Sequence, residues 1–128
     1  MNDYHCTVFQ NGTATFMARI RNFNGDILTP DKVDSISYSV YLLELDDPSK
    51  RTAVRGHQNV ALNPAETLFS QLQQNANWTP DDTGYNFLWT LNVKTSNAFQ
   101  YAGRHYLAEV KLTSDSVPFL IRYRLYVI

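Results

Sequence analysis

The sequence predicts an all-β fold, an antiparallel β-sandwich of about seven or eight short strands built as one domain over 1–128, with one short helix near 64–73. Three observations carry this. Stretches with a hydrophobic period of two recur along the chain, turn residues separate them at short intervals, and the two longest form a matched pair within 101–128. In the second of that pair, Phe119, Ile121, Tyr123, Leu125 and Val127 fall on one face, and Leu120, Arg122, Arg124, Tyr126 and Ile128 on the other. The first places Tyr106, Ala108, Val110 and Leu112 inward, with His105, Leu107, Glu109 and Lys111 outward. Joined across 114–117, they set Tyr106 opposite Leu125, Val110 opposite Ile121 and Glu109 opposite Arg122, so packing and charge agree on one register. A closed barrel shares this period and is the alternative architecture.

The remaining elements follow in order. A short strand at 7–10 meets Asn11-Gly12, a two-residue hairpin signal, and then 13–22 with Ala14, Phe16, Ala18 and Ile20 inward. These two are expected to form the first hairpin. Turns at Asn24-Gly25-Asp26 and Thr29-Pro30-Asp31 precede a longer strand, 33–45, with Ile36, Tyr38, Val40 and Leu42 inward. Its alternation blurs after Tyr41, which predicts a bulge or a stretch covered on both faces. A polar turn at 46–50 leads to a short return strand at 51–54. Asn63 as N-cap, Pro64 at the first helical position and Glu66 three residues past the cap predict the helix, with Leu68, Phe69 and Leu72 as its apolar stripe. The segment 73–82 is polar apart from Trp78, and 85–93 is a strand with Phe87, Trp89, Leu91 and Val93 on one face.

Composition narrows the function classes. A chain of 128 residues buries a core without staples, and 11 basic against 12 acidic residues leave a formal net charge of −1. That balance argues against a nucleic-acid partner, although Arg19, Arg21, Arg122 and Arg124 all take outward positions. The single cysteine, Cys6, excludes an intrachain disulfide. The first residues lack the basic and apolar regions of an export signal, and no apolar run approaches the ~20 residues of a membrane span, so no membrane partner and a cytoplasmic or virion location are expected. Without export, the sequons at Asn11 and Asn77 are chance matches.

Ala102-Gly103-Arg104-His105-Tyr106 resembles the tyrosine corner of immunoglobulin-like sandwiches, and Asp82-Thr83-Gly84-Tyr85 is a fainter echo of it. The paired cysteines of antibody domains are missing, so the resemblance is to the bacterial and viral kind of immunoglobulin-like domain. It implies that the Tyr106 hydroxyl bonds back to nearby backbone. A single small domain with no export signal and no catalytic constellation also resembles small bacteriophage or prophage virion components. These include capsid decoration, head-completion and tail accessory proteins. That resemblance implies capsid or tail proteins as partners, homo-oligomer formation, no cofactor and no enzymatic activity.

No motif supplies catalytic chemistry. His5, His57 and His105 accompany no nucleophile or carboxylate pattern and read as solvated histidines. Zinc spacings are absent, and Asp46-Asp47 and Asp81-Asp82 supply too few oxygens for calcium, so no metal is expected. The candidate interaction surface is the outer face of the last strand, Leu120, Arg122, Arg124, Tyr126 and Ile128, together with Trp78 and Tyr101. The last strand is either covered in its sheet or open for pairing with another chain. A carbohydrate-binding module using Trp78, Tyr101 and Tyr126 is the alternative function.

Overall fold

The computed structural model describes residues 2–128, with side chains from Tyr4 onward. The described residues form nine strands in two sheets that share one core, an all-β arrangement. The larger sheet holds β1 (Asn2–Val8), β3 (Ser35–Leu43), β4 (Arg51–Ala53), β5 (Val60–Leu62), β8 (His105–Ser114) and β9 (Val117–Val127). Its order is β1-β9-β8-β3-β4, with β5 also on β3. The smaller sheet is β2 (Thr15–Ala18), β7 (Tyr85–Thr90) and β6 (Leu68–Gln73), in the order β2-β7-β6. Aromatic side chains bridge the sheets: Phe16 stacks on Trp89 and meets Tyr123, while Tyr38 meets Trp89 at 4.4 Å between ring centroids.

The β8–β9 hairpin pairs in the register expected from its alternation, with Tyr106 opposite Leu125, Glu109 opposite Arg122 and Val110 opposite Ile121. Its two-residue turn, Asp115-Ser116, has φ of 51° and 64°, the left-handed geometry that matches strand twist in tight hairpins. Leu107 departs from the pattern. It faces outward yet is buried, because it lies in register between two long neighbours, Tyr41 and Arg124.

Three expectations are corrected. The helix is one turn, α1 (Pro64–Thr67), and the chain is extended from Leu68 onward as β6. The Asn63 cap is present, accepting from the Ala65 N–H at 3.0 Å. A short helix is marginal, and the edge of β7 offers these residues a ladder instead. The ladder runs Leu68 to Phe87 and Gln73 to Tyr85 with a register shift between them, which erases the period of two and leaves a helix-like stripe.

The first hairpin does not form. β1 pairs in parallel with β9, and β2 pairs with β7 in the other sheet. Asn11-Gly12 is a turn, with the Gly12 N–H on the Phe9 carbonyl, but it carries the chain from one sheet to the other. In consequence β9 has a neighbour on each side and offers no free edge, the covered one of the two arrangements expected for it.

The third concerns His57, which is buried rather than solvated. Nε2 donates to the Ser96 carbonyl at 2.7 Å, which leaves Nδ1 to accept from the Tyr38 hydroxyl at 2.8 Å. Gly56 beside it has φ of 85°, and a side chain there would collide with Ser96, so only glycine lets these loops close. The latch ties the β4–β5 connection to the β7–β8 connection.

Two tyrosines seal the outer edge of β2. The Tyr123 hydroxyl donates to the Met17 carbonyl at 3.0 Å, and the Tyr4 hydroxyl hydrogen-bonds the Arg19 backbone. Both rings come from the facing sheet and stack at 5.1 Å. A strand edge that would otherwise invite pairing is thereby occupied. Cys6 lies on the inward face of the same strand, β1, where burial pushes its thiol up to about 11. Iodoacetamide at pH 8 should therefore alkylate the native chain about a hundredfold more slowly than the urea-unfolded chain, because the thiolate is the nucleophile. Equal rates would show that the Cys6 site is open.

Candidate interaction surface

The outer face of the larger sheet is built by the outward residues of β1, β9, β8, β3 and β4. The parallel register sets His5 beside Arg124 and Thr7 beside Tyr126, and β8 then adds His105 beside Tyr126 and Glu109 beside Arg122. Leu120, Tyr126 and Ile128 expose 38%, 40% and 52% of their surface there, and Arg124 is exposed as well. These are the candidate residues read from the alternation of the last strand, and four of the five project freely from a strand held on both sides.

Arg122 is tied into the face. Its Nε donates to Glu109 Oε2 at 2.9 Å, and Arg51 reaches Glu109 Oε1 at 3.2 Å while lying 4.0 Å over the ring of Tyr41. One carboxylate thus serves two guanidinium groups drawn from β9 and β4. Arg124 and Lys111 have no ion pair among the described residues. Where the 44–50 connection rises beside the sheet, a cleft of about 500 Å³ opens between Leu43, Glu44 and Pro48 on one side and His5, Arg124 and Tyr126 on the other. The Tyr126 ring packs against His105 at 4.9 Å.

The other arginines diverge in role. Arg19 pairs with Asp81 at 2.7 Å, and Arg21 donates to the Gly25 carbonyl at 2.9 Å. Both nevertheless line a groove of about 890 Å³ that they share with Lys111 and Leu120, so the basic positions of the two sheets do approach one another at the hairpin's tip. Asp81 also accepts from Trp78 and from the Thr83 and Gly84 N–H groups, and these donors, with Arg19 foremost, hold its carboxyl well below the usual range. Asp47 accepts from Ser49 in its turn. Both aspartates thus do local hydrogen-bonding work, and the described residues contain no group of three or more His, Cys, Asp or Glu side chains arranged for a metal.

The candidate aromatics are not brought together. Trp78 packs on Tyr85 in the β6–β7 connection and lines a narrow groove of about 300 Å³ with Tyr4 and Tyr123. Tyr101 stands 54% exposed ahead of β8, where its N–H donates to the Tyr106 hydroxyl at 3.3 Å. Tyr126 is on the outer face. A sugar platform needs such rings on one surface, and these occupy three. Tyr85, in the weaker echo of the Tyr106 motif, receives a bond from the Asn75 side chain at 2.7 Å and makes no backbone corner.

Alternation along one strand could not reveal three contributors to the surface, Arg51, Tyr41 and His5. They reach it from β4, β3 and β1, whose pairing is set by distant residues. No model of a known protein family matches the chain, and no curated protein matches it. No helix among the described residues is long and apolar enough to cross a membrane.

Proposed function

We propose that this chain is a non-enzymatic, immunoglobulin-like β-sandwich that works by protein–protein contact, in the manner of a small virion accessory protein of the decoration, head-completion or tail type. The observation that carries the contact reading is the outer face of β9, where Leu120, Arg124 and Tyr126 stand exposed on a strand flanked by neighbours on both edges. Aromatic, apolar and arginine side chains on a rigid, flat support are the composition that protein interfaces favour. Because β9 has no free edge, contact proceeds through side chains and not by strand addition.

The immunoglobulin-like part rests on two features. β1 runs parallel to the last strand while β2, β7 and β6 form the facing sheet, and Tyr106 takes the backbone bond of a tyrosine corner close to Gly103, which has φ of 81°. The non-enzymatic part rests on the histidines: His57 spends both nitrogens on its latch, and His5 and His105 have no hydrogen bond to a nucleophile or carboxylate among the described residues.

Light scattering over a range of concentrations and salt levels tests the reading. The chain is expected either to form a defined oligomer that Leu120→Asp with Tyr126→Asp abolishes, or to bind isolated capsid or tail lattices with the same sensitivity. A monomer that binds neither lattice, or an assembly indifferent to both substitutions, would refute it.

A further inference from the structure

Charge is unevenly distributed over this molecule. The strands of the larger sheet present Arg51, Lys111, Arg122 and Arg124 on their outer face, against Glu109, and the backbone pairing of β1 sets Asp3 in register with Arg122. That is an excess of positive charge on one face of a chain whose formal net charge is −1. Glu109 is already engaged by two arginines, so it neutralises neither Arg124 nor Lys111. Around the tip of the hairpin, Lys111 and Leu120 continue into the groove that holds Arg21. Nothing comparable to this strip was visible in the overall charge balance.

The spacing is as informative as the sign. Along β9 the outward order is Leu120, Arg122, Arg124, Tyr126: apolar, basic, basic, apolar. Alternate residues of a strand are about 6.7 Å apart, which is also the spacing of alternate side chains in an extended partner. On the far side of β8, the outward residues of β3 and β5 include the small Ser37 and Ala61, while Tyr41 lies under Arg51.

We infer that this face docks an extended acidic segment of a partner protein, with carboxylates at alternate positions over Arg122 and Arg124 and an apolar side chain at each end against Leu120 and Tyr126. The inference rests on the contact reading above and specifies the partner's chemistry. A carboxylate over Arg124 meets a guanidinium that makes no ion pair among the described residues, with Glu44 across the cleft as the nearest rival. A carboxylate over Arg122 joins a guanidinium oriented by Glu109, whose own charge is offset by Arg51. A nucleic acid fits this surface less well. It would place a phosphate at every step along a strip that Glu109 interrupts, and apolar residues close the strip at both ends.

The test uses the whole chain and a peptide probe, acetyl-Leu-Ser-Glu-Ser-Glu-Ser-Leu-amide, followed by amide chemical shifts. The expected result is salt-sensitive binding that perturbs β9 and β8, is lost when both glutamates of the probe become glutamine, and weakens about tenfold in Lys111→Glu with Arg124→Glu. The reversal Lys32→Glu with Lys94→Glu, away from this face, should leave it within about twofold. Unchanged amide spectra outside the face confirm that each variant is folded. Equal binding of the glutamine probe, perturbation confined to other surfaces, or tighter binding of an oligothymidylate of equal charge would overturn the inference. If the chain assembles through Leu120 and Tyr126 but ignores the probe, the acidic partner is wrong and the contact reading stands. If it neither assembles nor binds lattice or probe, both fail.

Discussion

Replacing Asn86 with alanine is expected to cost about 3–5 kcal/mol of folding stability, because a fully buried side chain holding three hydrogen bonds is removed at once. The ladder between β2 and β7 ends at Ala18 opposite Phe87. One step further, the Asn86 side chain takes over from backbone pairing. Its Oδ1 accepts from the Ile20 N–H at 2.7 Å, and its Nδ2 donates to the carbonyls of Ile20 at 3.0 Å and Leu28 at 2.8 Å. Ile20 and Leu28 are themselves core residues, and the Leu28 N–H returns to the Ile20 carbonyl at 2.9 Å. The amide therefore pins both ends of the 20–28 excursion to the smaller sheet. Alanine leaves the Ile20 N–H and the Leu28 carbonyl without these partners in a space too small to hydrate freely. Asn86→Asp is the sharper variant, since it keeps the acceptor, loses both donors and sets a carboxylate against two carbonyl oxygens. Urea denaturation should show the aspartate variant at least as unstable as the alanine one. A loss below about 1 kcal/mol in either would mean that the excursion is held by its apolar contacts alone.

Asn86 also illustrates what sequence can reveal here. It stands inside a strand legible from Phe87, Trp89 and Leu91, yet nothing in that alternation distinguishes a buried asparagine with three partners from a solvated one. The partners lie some sixty residues away. The β8–β9 hairpin is the opposite case, because its period, turn and cross-strand charge pair are all local and each restricts the same register. β1 was read only as a short strand at 7–10, where the structure has Asn2–Val8; its parallel partner lies at the far end of the chain, and Asn11-Gly12 signals a hairpin that long-range pairing overrides. β6 was hidden by its register shift. For the surface, the outward set on β9 followed from alternation alone. The positive strip did not, because it needs Arg51 and Lys111 brought beside Arg122 and Arg124 by the strand order.

The second large effect is expected at Tyr123, where truncation to alanine should cost about 4 kcal/mol, in the range of buried aromatic deletions. The ring is 2% exposed, stacks on Tyr4, meets Phe16 at 4.6 Å and carries the hydroxyl that seals β2 through the Met17 carbonyl. Tyr123→Phe separates these contributions. It keeps the ring and loses the seal, so at neutral pH it should cost about 1–2 kcal/mol. Alkaline pH adds an independent signature. Burial raises the Tyr123 hydroxyl well above its ordinary value of 10.0, with the nearby Tyr4 and Cys6 adding to the shift. In the unfolded chain the same group releases its proton near 10, so above that pH the unfolded state binds fewer protons than the folded one and stability falls as pH rises. Below 10 the contribution is fully present. Phenylalanine has no proton to release, so the variant should lose stability less steeply than the parent above pH 10, and the deficit seen at pH 7 should narrow. Urea midpoints measured from pH 7 to 11 would show this convergence. Parallel curves would mean that Tyr123 is reached by solvent and that the edge of β2 is open.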